Sequence, residues 1–207
     1  MVCYQTIRKD TVFEFTEKKS IFLTHAFFVP GEETARARVQ EICRQHKDAT
    51  HNVYAYCLHQ GGFRKMSDDG EPSGTAGMPV LNTILKAGIE DVCVVVTRYF
   101  GGILLGAGGL VRAYTRGAAG ALEQGGRANI VPFIRCRFQY GYESHARMQR
   151  VLEQASAMTE TEYGMQVSVR ALLRQDRFER LEAVLREQFF ASVTWEILEC
   201  FLSRDEG

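Results

Sequence analysis

No Cys-x-x-Cys pair occurs in this chain, although it carries six cysteines: Cys3, Cys43, Cys57, Cys93, Cys136 and Cys200. Thiols scattered in this way supply no zinc framework and read as small, reduced hydrophobes of a cytoplasmic protein. No apolar stretch has the length of a signal peptide or a membrane span, so no membrane partner is expected. Neither sign of charge is in surplus, with 25 basic residues against 25 acidic ones. That balance argues against a nonspecific nucleic-acid coat, which needs many uncompensated Lys and Arg to displace counterions. A local basic face is still compatible with it. The remainder is ordinary: 207 residues, 45% hydrophobic and 24% charged, a composition that folds and a length comfortable for two domains.

Two aromatic and β-branched runs, "TVFEF" and "IFLTHAFFV", predict paired strands. "GEETARARVQEICRQH" places Ala35, Val39, Ile42 and Cys43 on one helical stripe, with Glu32 and Glu33 suiting the positive end of the helix. "NVYAYCLH" reads as a strand followed by an acidic loop. "MPVLNTILKAG" reads as a short helix stopped by Gly88, and "VCVVVTRYF" as a strand buried on both faces. In "GGLVRAYTRGAAGALEQGG", Leu110, Val111, Tyr114, Ala118, Ala121 and Leu122 trace one helical face.

A boundary falls near "GGRANIVP", giving domains over 1–130 and 131–207. Past it, Ile134, Cys136, Phe138 and Tyr140 alternate with Phe133, Arg135, Arg137 and Gln139. A helix follows, then two strands about Gly164, a second helix and the strand "SVTWEILECFL". The order β-α-β-β-α-β is the ferredoxin-like plan, and the fold class is α+β in two domains. Arg135, Arg137 and Arg170 then stand on the sheet face that the helices leave uncovered. They form either a solvated polar face or a small basic platform for RNA or an acidic partner. Of the aromatics that could stack a base there, only Phe133 is suitably placed.

Chemistry concentrates in two segments. "SDDGEPSGTAG" sets Asp68, Asp69 and Glu71 among glycines, with Ser73 and Thr75 beside them. Its carboxylates lack the alternating spacing and distal Glu of a calcium loop. No glycine in it is followed by Lys and then Ser or Thr, so it is not a phosphate-binding Walker loop. The neighbours Asp68 and Asp69 are expected to point in different directions, which counts against paired acid–base work. In "RYFGGILLGAGGLVRAY", Gly106, Gly108 and Gly109 open a helix whose free N–H groups favour anions. Val111 holds the third glycine position of a dinucleotide fingerprint, and close packing explains the glycines equally well. His51 and His59 bracket a strand and meet only if the fold brings them together. Arg98, at the end of the buried strand, needs a carboxylate to offset its desolvation, so contact with Asp68, Asp69 or Glu71 is expected.

"HKDATHNVYAY", "SDDGEPSGTAGMPVLNTI" and "VVVTRYFGGILLGAGGLVRAY" together resemble the IMPACT family, in its bacterial YigZ-like branch. The family signature falls on His51, Asp68, Asp69, Gly70, Glu71, Pro72, Gly74, Thr75, Gly77 and Pro79. It continues at Arg98, Tyr99, Phe100, Gly101, Gly102, Gly106, Gly108, Gly109, Arg112 and Tyr114. The resemblance implies a first domain folded like a small-subunit ribosomal protein, RNase P protein, translocase domain IV and the GHMP kinases. It implies a ferredoxin-like second domain similar to translocase domain V. Eukaryotic members restrain a translation-controlling kinase through an RWD module, which is not expected in a chain that opens almost directly on the family segment. No catalytic assignment, cofactor or metal comes with the family, which tilts the expectation away from an enzyme.

Three functions follow as expectations. The first is a noncatalytic protein associated with translation, contacting RNA, the ribosome or a translation factor through the signature surface, through Arg135, Arg137 and Arg170, or both. The second is a phosphate- or nucleotide-binding enzyme or sensor using Gly106 to Gly109. The third is a protein-interaction adaptor with no nucleic-acid role.

Overall fold

A computed structural model of the 207-residue chain describes residues 3–155, 158–190 and 192–205. Two compact units divide it, one over residues 4–129 and one over 130–205, and both mix helices with antiparallel sheet.

The first unit runs β1 (Tyr4–Ile7), β2 (Thr11–Glu17), β3 (Ser20–Phe28), α1 (Glu32–Gln45), β4 (His51–Cys57), β5 (Arg64–Ser67), α2 (Gly77–Ala87), β6 (Val92–Tyr99) and α3 (Ala107–Gly125). Five of these strands form one antiparallel sheet in the order β2-β3-β6-β4-β5. The central place of β6 accounts for its unbroken apolar run. Val92, Val94 and Val96 enter a core shared with α2 and α3, whereas Cys93 and Val95 enter a second core that includes Ala35 and Ile42 of α1. Side chains alternate across a strand, so a strand covered on both faces needs an apolar residue at every position. All five are fully buried.

Helix ends and faces follow from particular residues. Gly88 stops α2 in the left-handed conformation, at φ 65°. The glycines of α3 serve close packing: a Cβ at Gly117 would lie 2.6 Å from Thr24 Oγ1, and one at Gly120 would lie 2.5 Å from the Phe13 ring. Their absence of side chain lets α3 rest directly on β2 and β3. Val111 departs from the predicted face, because it is exposed while Ala113 is buried. The inward set is Leu110, Ala113, Tyr114, Gly117, Ala118 and Ala121, and Val111 lies one residue, about 100°, off that stripe. A second departure is β5, which stands between β4 and the acidic loop and pairs with β4. Its sequence RKMS has almost no apolar alternation, as suits a short charged edge strand.

The second unit begins within β7 (Arg127–Tyr140) and continues through α4 (His145–Gln154), β8 (Met158–Tyr163), β9 (Val167–Arg174), α5 (Gln175–Gln188) and β10 (Val193–Arg204). The strands lie in the order β10-β7-β9-β8, all neighbours antiparallel. Ile134, Cys136, Phe138 and Tyr140 pack with Met148 and Leu152 of α4 and with Phe178, Leu181 and Leu185 of α5. The element order β-α-β-β-α-β matches the periodicity. Among the described residues no helix is long and apolar enough to cross a membrane, and all six cysteines are unpaired.

Candidate functional site

Glu71 is the centre of the acidic loop's chemistry. Arg98 donates from Nη1 to Glu71 Oε1 at 2.6 Å, and the Tyr114 hydroxyl donates to the same oxygen at 2.7 Å. His51 Nε2 stands 3.9 Å from the other oxygen. The charged side chains are only 6% (Arg98) and 3% (Glu71) exposed. Strand alternation sends Arg98 to the same sheet face as Val94 and Val96, where the loop and α3 meet it. The guanidinium also lies 5.5 Å from the ring centres of both Phe22 and Phe100, a cation–π setting that suits a desolvated arginine. Burial, and then the bond to Glu71, hold the Tyr114 hydroxyl above its usual range, so it remains a protonated donor.

The two aspartates diverge, as their adjacency requires. Asp68 accepts from the backbone N–H groups of Gly74 at 2.9 Å, Ala76 at 3.1 Å and Gly77 at 2.7 Å. It thereby caps α2, which has no cap from its own flanking residue. Asp69, at φ 45°, accepts from the Asn52 N–H at 2.6 Å, and its carbonyl accepts from His51 Nδ1 at 2.7 Å. Thr75 Oγ1 donates to the Pro72 carbonyl at 2.6 Å, while Ser73 is exposed.

Burial raises the Asp68 carboxyl, but the bonds from Gly74, Gly77 and Ala76 outweigh it and leave the group below the usual carboxylate value. A group depressed on folding contributes stability above its unfolded value of about 3.9 and loses it as pH falls through the folded one. Asp68→Ala is therefore expected to lose about 1–2 kcal/mol at neutral pH. In urea unfolding the gap from the parent should close in acid; a gap that stayed constant would refute the assignment.

The signature does not gather into one cluster. Tyr99, one residue past Arg98, points to the opposite sheet face, where its hydroxyl meets His46 Nδ1 at 2.8 Å. His59 stacks on Tyr4 and contacts Glu90, away from His51. Gly101 is held against the turn between β2 and β3, with its N–H on Ser20 Oγ at 3.2 Å. Gly102 and Gly106 have φ of 82° and 71°, and Gly106 precedes α3 without any side-chain cap. Arg112 is exposed beside Gly108 and has no ion-pair partner among the described residues. Gly109 packs on Leu105. Between strand and helix the chain exposes Phe100, Ile103 and Leu104, the last at 81%.

On the sheet face of the second unit that carries Arg135, Arg137 and Arg170, each of the three arginines has a glutamate partner. Arg135 pairs with Glu199 at 2.8 Å, Arg137 with Glu196 at 2.9 Å and Arg170 with Glu162 at 3.5 Å. Strand β10 sets Glu196 and Glu199 opposite Arg137 and Arg135, and β8 sets Glu162 diagonally from Arg170, which the sequences of β7 and β9 alone do not reveal. Phe201 joins Phe133 on β7, with ring centres 6.3 Å apart.

Two supporting residues escaped sequence reasoning. Asn52 links Asp69 to the Thr97 hydroxyl, which bonds its Oδ1 at 2.8 Å. Ser20 holds Gly101 from 81 residues away. Asn52 lies inside the motif HKDATHNVYAY, next to His51, whereas Ser20 has no local signal at all.

The model of the Impact N-terminal domain matches residues 18–122. The chain is 46% identical over 121 residues to the IMPACT family member YvyE of Bacillus subtilis, a match spanning 58% of this chain and 56% of that protein. It is 39% identical over 143 residues to the IMPACT family member YigZ of Escherichia coli, covering 66% and 69% respectively. A crystal structure of a hypothetical protein superposes with a TM-score of 0.63 at 30% identity, over 96% of this chain and 98% of that one. With the family model spanning half the chain, the chain belongs to the IMPACT family, in its bacterial YigZ-like branch.

Proposed function

We propose that this chain is a noncatalytic binding protein associated with translation, which contacts RNA or the ribosome through the surface of residues 100–112. One observation carries the reading: the carboxylates of the signature are engaged by the chain's own groups. Asp68 holds three backbone N–H groups, Asp69 one, and Glu71 holds Arg98 and Tyr114. Acid–base or metal chemistry needs carboxylates that face substrate. What this lock presents outward is apolar Phe100, Ile103 and Leu104, with the exposed Arg112 and the start of α3, which has no side-chain cap among the described residues, alongside. That combination suits a macromolecular surface bearing phosphates. The fold kinship with ribosomal and translocase domains, implied by the family, agrees with it by analogy.

Co-sedimentation with ribosomes tests the reading. Leu104→Asp and Arg112→Glu change exposed side chains and should each remove most of the pelleted protein, with the parent's binding falling as salt rises. Pelleting that is unchanged in both variants overturns the proposed surface. Retention of a partner after nuclease treatment would favour the adaptor reading. A free phosphorylated ligand at Gly106 to Gly109 is the second reading, favoured by the free N–H groups that open α3. A thermal shift with nucleotide and magnesium is its signature.

A further inference from the structure

On the α1 side of the first unit's sheet, opposite the Glu71 lock, a groove of about 260 Å³ runs between α1 and strands β4 and β5. Arg36, Val39 and Gln40 of α1 form one wall, Lys65 of the edge strand the other, and Tyr54 and Tyr56 the floor. Register explains the arrangement, since Tyr56 sits opposite Lys65 and Tyr54 opposite Ser67. The aromatic rings form a row. Tyr54 and Tyr56 stack at 6.1 Å with 12° between planes, and Phe63 lies 6.1 Å beyond Tyr56. Tyr56 is fully buried and acts as a buttress, while Tyr54 is half-buried with its ring lining the groove.

Around this row stand Arg36, Lys65 and Gln40, with the Glu32 carboxylate at the Tyr56 hydroxyl, 3.4 Å away. Lys65 has no carboxylate partner among the described residues. Arg36 bonds Glu32 through Nε and Nη2, which leaves Lys65 as the cation of the groove without a counter-charge. The volume is below the roughly 300–1,000 Å³ of pockets that engulf drug-sized ligands, so it suits one planar ring rather than an elaborate molecule. A flat ring against an aromatic floor, with a cation at the wall, is the arrangement by which proteins hold single-stranded nucleic acid.

We propose that this groove binds one base of a single-stranded RNA segment. The base stacks on Tyr54, the Gln40 amide meets its edge, and Lys65 pairs with a flanking phosphate. This inference rests on the reading of the chain as an RNA-contacting protein and adds a second surface to it.

The test titrates a fluorescent eight-residue oligoribonucleotide into the full chain. Tyr54→Ala should weaken binding about tenfold or more, the loss of one stacked base. Tyr54→Phe keeps the ring and should bind like the parent, which separates stacking from any general loss of structure. Lys65→Ala, at the surface, should weaken binding and flatten the slope of log affinity against log salt by about 0.7, the value for one phosphate on a single strand. Uridine monophosphate should bind far more weakly than the oligomer; equal affinity would overturn the RNA assignment. If the parent fails to bind the oligomer, or Tyr54→Ala binds it unchanged, while the chain still pellets with ribosomes, the groove inference falls alone. If neither association occurs, both readings fall.

Discussion

Glu71→Ala is expected to lower the stability of the first unit by about 3–5 kcal/mol. The effect is large because the substitution leaves a guanidinium that is 6% exposed without its counter-charge, and a buried Tyr114 hydroxyl without its acceptor. Removing one partner of a buried pair is far worse than removing both. The double variant Glu71→Leu with Arg98→Met should therefore recover much of the loss. Glu71→Gln should fall between, since an amide oxygen still accepts from Tyr114 but carries no charge. Urea unfolding followed by circular dichroism ranks the three. A loss under about 1 kcal/mol for Glu71→Ala would place it among surface ion pairs and contradict the burial.

Gly101→Ala should be the other severe change, at about 3 kcal/mol, the upper end of the usual range for overpacking. A Cβ at this position would lie 2.0 Å from the Lys19 carbonyl carbon, 2.1 Å from its oxygen and 2.4 Å from the Ser20 nitrogen. All three are backbone atoms, so no side chain can rotate away. The turn itself has little slack, because Lys18 and Lys19 already occupy left-handed conformations at φ 45° and 66°. Gly102→Ala is the control. Its φ of 82° disfavours a side chain, yet nothing lies within 4 Å of the added carbon, so about 1–2 kcal/mol is expected. Thermal midpoints in the order parent, Gly102→Ala, Gly101→Ala would bear out the packing argument; the reverse order of the two variants would refute it.

Much of the architecture was legible because burial leaves a periodic trace. Val92 to Val96 announced a strand covered on both faces, and Ile134, Cys136, Phe138 and Tyr140 announced one covered on a single face. Strand β5 was invisible because a charged edge strand has few apolar residues to alternate. The Arg98–Glu71 pair followed in outline from desolvation, although electrostatics alone did not choose Glu71 from three carboxylates. The choice depends on the other two having nearer partners, the start of α2 for Asp68 and Asn52 for Asp69. The charge balance of Arg135, Arg137 and Arg170 was out of reach for a different reason. It is set by cross-strand register, which pairs residues up to 64 positions apart.

The Glu71 contacts join positions 27 and 43 residues apart. Closing loops of that length carries an entropic penalty that nearby contacts do not, and the lock needs both β6 and α3 to be docked before its partners meet. Such an interaction is expected to form late in folding, so that Glu71→Gln should speed unfolding more than it slows refolding in stopped-flow measurements. Its influence then falls on how slowly the native first unit opens rather than on how fast it forms. Read kinetically, the acidic loop is a latch that prolongs the lifetime of the folded state.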